Sequence, residues 1–214
     1  MTSIKQILWR RLTNSSERGT KMGYDLVSNQ PNREVSADFA KRYEYTYLFD
    51  KDTGEFNGDD QVYFRSNIWG MGDIHRIIEA IRREVNQDLD YGLSVPMPIV
   101  DKTVYNDGEL VTTADIQDFL DLVNFHTGAK KEGSREDWLT RVRDNVYPLV
   151  LRMVKSNRLT NPDEFKNTIR AFVDGQVVTK EYPEEEAAND STNLFIEFVD
   201  YADTCLELEG FRVY

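Results

Sequence analysis

The sequence predicts an α+β domain: a small antiparallel sheet with an aromatic face, packed by about five helices. Three observations lead there. Apolar residues recur at helical spacing in several separate blocks, one aromatic-rich block alternates with period two, and strands and helices do not alternate as a doubly wound chain requires. The 214 residues are 40% hydrophobic and 12% aromatic, enough for the core of one domain of common size. The pattern divides the chain into a basic N-terminal arm with a short helix, residues 1–21, and a single α+β domain, residues 22–214.

In the arm, Ile4, Ile7, Leu8, Trp9 and Leu12 lie largely on one side of a short helix, followed by the polar loop TNSSERGTK. Tyr43, Tyr45, Tyr47 and Phe49 share one parity, which predicts a strand over 40–49 with an aromatic face. The turn-rich DKDTGEFNGDD then predicts a hairpin to a second strand, Gln61–Asn67. That turn superficially resembles a calcium loop, with Asp50, Asp52, Glu55 and Asp59 as oxygen donors. An EF-hand loop needs Asp or Asn fifth, Gly sixth and Glu twelfth, and those positions hold Gly54, Glu55 and Gln61.

The helices give clearer signals. Asp73 is a candidate cap for a helix striped by Ile74, Ile77, Ile78, Ile81 and Val85. Thr112 or Thr113 caps the next, with Ile116, Phe119, Leu120 and Val123 inside. Ser134 and Asp137 open a longer one through Trp138, Val142, Val146, Leu149 and Met153, which Pro148 should kink or divide. Asn161-Pro162 predicts a short helix through Phe165, Ile169 and Phe172 to Gly175. QVVTKEY reads as a strand and EYPEEEAANDS as a solvated loop. Ser191 or Thr192 caps a last helix, through Phe195, Phe198, Val199, Ala202 and Leu206, ending at Gly210 before the terminal strand FRVY.

Composition narrows the chemistry. The net charge is −12, but residues 1–21 carry five basic residues against one acid, which leaves −16 for the remainder. An acidic body disfavours direct nucleic-acid binding, since phosphate rewards a basic face. It suits docking on a basic partner. No apolar run reaches membrane-spanning length and no secretory signal opens the chain. The lone Cys205 permits no internal disulfide, which fits a reducing cytoplasm, and its place on an apolar helix side predicts an inert thiol.

One cysteine and two histidines cannot supply four zinc ligands, so no metal and no cofactor is predicted. There is no phosphate-cradling loop and no G-x-S-x-G elbow. The turn GMGD at 70–73 precedes a helix, but the Asp73 carboxylate would occupy the donors an anion needs. His75 is an acid–base candidate only if a cleft forms over that turn; His126, at a helix end, suits a capping role. No catalytic group stands out.

The pieces MGYD at 22–25, YFRSNIW at 63–69, YNDGELVTTADIQDFLDLV at 105–123 and the ending NLFIEFVDYADTCLELEGFRVY resemble an uncharacterised family of small phage and prophage proteins. Members open with Met-Gly-x-Asp, carry Tyr-Phe-Arg-x-Asn-x-Trp, and close on a helix followed by Gly-Gly-Phe. This chain departs from the pattern. Gly70-Met71 stands where a second Trp and a Pro-Leu pair are common, Glu209-Gly210 replaces the double Gly, and a Cys-x-x-Cys pair of some relatives is missing. The resemblance implies a viral or mobile-element origin and no mechanism.

Those observations predict a phage-encoded acidic accessory protein in the host cytoplasm that binds a host protein and inhibits a defence or nucleic-acid-processing system. Glu184, Glu185, Glu186 and Asp190 would steer the encounter. The alternative is a small anionic-ligand or nucleotide-binding protein, or a weak enzyme, built on Tyr63, Arg65, Asn67, Trp69 and Asn106. An arginine among aromatics can stack and still present its fork to an anion. A minor virion component is the third reading.

Overall fold

The computed structural model describes residues 23–88, 97–105, 107–156, 158–159, 168–173, 176–181 and 183–214, of which 67–69, 87–88 and the strands within 168–181 are described by backbone alone. The basic arm lies outside that set. The strands are β1 (Gly23–Ser28), β2 (Tyr63–Asn67), β3 (Leu110–Val111), β4 (Thr168–Val173), β5 (Gln176–Glu181) and β6 (Phe211–Val213). Four of them form one antiparallel sheet in the order β2-β1-β6-β3, while β4 and β5 pair as a separate hairpin. The helices are α1 (Arg33–Arg42), α2 (Ile68–Asp88), α3 (Pro98–Lys102), α4 (Thr113–Thr127), α5 (Arg135–Lys155) and α6 (Glu184–Leu206), with one 3-10 turn at Thr46–Leu48. The fold is α+β.

The sheet is covered on one face. Alternation turns Leu26, Phe64, Val111, Phe211 and Val213 inward, and all are fully buried. Helix α6 lies across that face: Phe198 and Tyr201 meet Phe64 and Phe211 with ring centroids 5.2 to 6.4 Å apart, and Phe119 of α4 closes the cluster against Phe195 and Phe198. Tilted and edge-on pairs at such spacing contribute about 0.5–1.5 kcal/mol each beyond their burial. The chain enters β6 through Gly210, at φ 91°, where a side-chain carbon would overlap the Val111 carbonyl oxygen. Only glycine fits that crossing.

The aromatic face belongs to Phe64 and Phe211, not to a strand at 40–49. Asn32 accepts from the Val35 N–H and starts α1, which runs to Arg42; Glu44, at φ 54°, then reverses the chain. The segment after Glu44 is a turn, and β2 pairs with β1, a strand the sequence pattern does not reveal. The 50–59 loop contributes one isolated bridge, Phe49 to Phe56, and Asp50 is spent locally: its Oδ1 accepts from the N–H groups of Asp52 and Thr53. Those bonds hold the Asp50 carboxyl below its usual range.

Capping signals in the sequence hold at two helices and fail at two. Thr112 and Asp115 form a reciprocal capping box on α4, and Ser134 accepts from the Asp137 N–H on α5. Helix α5 passes Pro148 without dividing. Helix α2 starts at Ile68 and runs through both glycines, so Asp73 is not its cap; the carboxylate is buried, 3.3 Å from Arg76 Nη1, and accepts from Ser191 Oγ at 3.5 Å. Likewise α6 begins at Glu184 behind Pro183, and the stretch expected to be a solvated loop is its first two turns. Three glutamates there favour the positive end of the helix dipole. The predicted helix from Asn161 is overturned where it is described: Ile169 and Phe172 lie in β4.

Candidate functional site

On the opposite face the described side chains Asp25, Val27, Tyr63, Arg65 and Arg212 are all exposed or half-buried. Because Ser28 N–H donates to the Val62 carbonyl at 2.9 Å, the close pairs of the β1–β2 ladder fall at 28–62, 26–64 and 24–66. The backbone groups of Tyr63 and Arg65 therefore point away from β1, along the outer edge of the sheet formed by the described strands. Their side chains stand on the uncovered face.

Arg65 is directly opposite Asp25, with Nε 3.4 Å from Oδ1, and the Tyr63 hydroxyl donates to that same oxygen. Burial, and then the bond to Asp25, pushes the Tyr63 phenol well above its usual range. Next along the row is Tyr214, joined to Asp25 by two backbone hydrogen bonds of 2.8 and 2.7 Å and 54% exposed. The adjoining row holds Val27 and Arg212, whose Nη1 donates to the Gly108 carbonyl at 2.8 Å. Tyr47 projects from the turn after α1, 64% exposed, close enough for the Arg65 charge to offset part of what burial does to its phenol.

Of the five residues predicted for an anion site, two are thus placed side by side. The side chains of Asn67 and Trp69, and all of Asn106, lie outside what is described. The Arg65 side chain is 52% exposed: it is neither in an enclosed pocket nor buried against an internal acid. None of the cation–π contacts among the described residues involves it; those are made by Arg33, Lys41, Arg42 and Lys131. A half-exposed pair of this kind contributes about 0–1 kcal/mol to stability. Arg65 therefore contributes little to the stability of the fold.

His75 is half-buried where α2 meets α3. The Thr103 hydroxyl already donates to the Ile99 carbonyl at 2.6 Å, so His75 Nε2, 2.7 Å from Thr103 Oγ1, must be the protonated nitrogen. Burial pulls the ring down to about 4, and a neutral imidazole pins α2 to α3. His126 Nδ1 lies 3.7 Å from Glu84 Oε2 at the far end of α2. Cys205 is buried, its thiol pushed up to about 12 chiefly by that burial.

The acidic residues predicted for partner contact occupy the first turns of α6, with Glu185 and Asp190 exposed and Glu184 and Glu186 half-buried. At 1.5 Å per residue, Glu184 is roughly 20 Å along the helix from Glu197, which touches the turn beside the sheet. The two candidate surfaces are separate.

Sequence reasoning missed a buried ionic cluster on α6. Asp200 has no exposed surface, yet it accepts from Arg42 Nε at 3.1 Å, from the Tyr43 hydroxyl at 3.0 Å and from Arg135 Nε. One turn on, Asp203 pairs with Lys131 at 2.6 Å and Arg135 Nη2 at 3.2 Å. The signal was available, as two acids three residues apart inside the most apolar stripe of the chain. The cluster ties α1, α5 and α6 together, and Asp200 is sealed from any substrate. A shallow depression of about 440 Å³ between Gly128, Lys130, Glu132, Gly133 and Arg141 is a crease, where Arg141 donates to the carbonyls of Lys130 and Glu132.

Among the described residues no group of three or more His, Cys, Asp or Glu side chains is arranged to hold a metal ion, and no helix is long and apolar enough to cross a membrane. No family model, no curated protein and no solved structure matches the chain.

Proposed function

We propose that this chain acts by binding a host protein through the open face and free edge of its sheet, as a phage-encoded accessory protein that inhibits a defence or nucleic-acid-processing system in the host cytoplasm. The observation that carries the binding reading is the cluster Tyr63, Arg65, Tyr47 and Tyr214 on a face that no described helix covers. Tyrosine and arginine are the side chains that dominate protein contacts, because each combines a large flat apolar area with a directional polar end. The outward amides of Tyr63 and Arg65 add a strip of backbone donors and acceptors that a partner strand can use. The phage and inhibitor parts rest on the family resemblance and on the acidic body, which suits a basic partner.

A small-anion site is the weaker reading. Asp25 already partly neutralises Arg65, and the corner is open to water, where a single ion pair contributes little. The experiment is affinity capture from infected cells with the wild-type chain and with a Tyr63→Ala, Arg65→Ala double variant. A host protein retained by the first and lost by the second supports the reading; equal recovery by both removes the sheet face from it. With a partner in hand, replacing Glu184, Glu185, Glu186 and Asp190 by neutral residues should slow association and flatten its salt dependence. Unchanged kinetics would remove the acidic turn from the encounter.

A further inference from the structure

Glu197 sits where α6 meets the Tyr43–Leu48 turn. From the turn, the Tyr45 hydroxyl donates to Glu197 Oε1, the Tyr43 hydroxyl reaches Asp200 instead, and the Tyr47 ring lies against Tyr45 with centroids 5.9 Å apart. From α6, Asp200 adds a second negative charge one turn on. Arg42 on α1 and Arg135 on α5 both spend Nε on Asp200, Arg65 on β2 is held by Asp25, and Lys41 on α1 lies 5.9 Å over the Phe49 ring. Among the described residues no Lys, Arg or His forms an ion pair with Glu197.

A largely buried carboxyl beside another acid, with no cation paired to it among the described residues, favours its neutral form. Burial raises Glu197 to about 7; the Tyr45 hydrogen bond opposes that and Asp200 reinforces it. We propose that Glu197 is a proton-operated latch on the Tyr43–Phe49 segment: neutral, it keeps the turn seated on α6, and ionised, it eases opening of the turn beside Arg65. The latch stands whether or not the sheet face binds a partner.

Opening returns Glu197 to water and to the usual 4.5 of a glutamate. The seated state therefore holds a proton that the opened state sheds between pH 4.5 and about 7, and opening becomes easier by up to about 300-fold across that interval. Seating is at full strength below 4.5 and is lost as pH rises through about 7.

The test is amide hydrogen exchange at Leu48 and Phe49, whose N–H groups bond the Tyr45 and Thr46 carbonyls inside the turn, corrected for the intrinsic pH dependence of exchange. Protection there should fall by about 100-fold or more from about pH 4.5 to about pH 7.5 in the wild type. Glu197→Gln keeps an oxygen acceptor for Tyr45 and cannot ionise, so its protection should not change with pH. The same pH dependence in both proteins overturns the latch. So does direct carbon-13 titration of the wild-type Glu197 carboxyl within the ordinary glutamate range, a measurement that needs no variant.

Discussion

Replacing His75 with glutamine isolates one of two half-buried groups whose effects on stability run in opposite directions with pH. In the folded protein burial holds the imidazole at about 4, against its usual 6.5. Between those values the unfolded chain binds a proton that the folded one refuses. The contribution is therefore intact above 6.5 and is lost as pH falls towards about 4. At about 1.4 kcal/mol per pH unit the limit is about 3.5 kcal/mol, and the ring's remaining contact with solvent brings the expectation to about 2 kcal/mol.

Glu197 behaves oppositely: its folded value of about 7 exceeds the usual 4.5, so its contribution is complete below 4.5 and is lost as pH rises. In the window where both titrate, the two slopes cancel. His75→Gln leaves an amide to donate to Thr103 Oγ1 and removes the titrating proton. Urea unfolding followed by tryptophan fluorescence, repeated across pH, reads the difference directly. The variant should gain about 2 kcal/mol on the wild type between about pH 7.5 and about pH 4.5. A difference that stays constant to within a few tenths would mean that His75 titrates as an ordinary solvated histidine.

Arg135→Ala leaves Asp200 and Asp203 buried with less positive charge, and should cost about 3 kcal/mol, seen as a lower urea midpoint. Lys131→Ala removes a more exposed partner of Asp203 and should cost about 1 kcal/mol or less. Gly210→Ala combines a left-handed backbone with an overlap on the Val111 carbonyl, so a loss of more than about 2 kcal/mol is expected; a near-neutral variant would mean that the α6–β6 turn relaxes at little cost. Arg65→Ala should change stability by less than about 1 kcal/mol by the same urea measurement, which separates any loss of partner capture from unfolding.

The sequence is most legible where structure is decided by neighbours in the chain. The starts of α4 and α5 depend on Thr112, Asp115 and Ser134, each reaching three residues along the chain, and the alternation of β2 turns Phe64 inward and Arg65 outward without outside help. Legibility fails where a distant partner decides. Period-two aromatics at 43–47 look like a strand, but Tyr43 and Tyr45 are spaced to bring two hydroxyls to Asp200 and Glu197, more than 150 residues away. Gly70 and Gly72 cost α2 about 1 kcal/mol each, and burial of Met71 and Ile74 outweighs them. Ile169 and Phe172, three apart, suit one face of a helix, but pairing with β5 overrides that spacing and makes a strand. At the candidate site the outward Arg65 is readable, whereas its partner Asp25 lies on a strand whose mixed side chains carry no periodic signal.

Helix α6 shows how little residue type alone decides the chemistry of a position. Its chemistry rests on two acids one turn apart, Glu197 and Asp200, which face the same turn and differ only in what reaches them. Asp200 receives two guanidinium nitrogens and a phenol, so its carboxylate oxygens are all engaged with no exposed surface. Among the described residues Glu197 receives a phenol and no cation, and burial raises it to about 7. Two guanidiniums in place of none convert a proton switch into a fixed anchor, and residue type at either position carries no trace of that difference. Moving a cation to Glu197 should abolish the switch without moving a single helix. The behaviour of the turn that holds Tyr47 beside Arg65 is thus set by which acid the arginines of α1 and α5 reach.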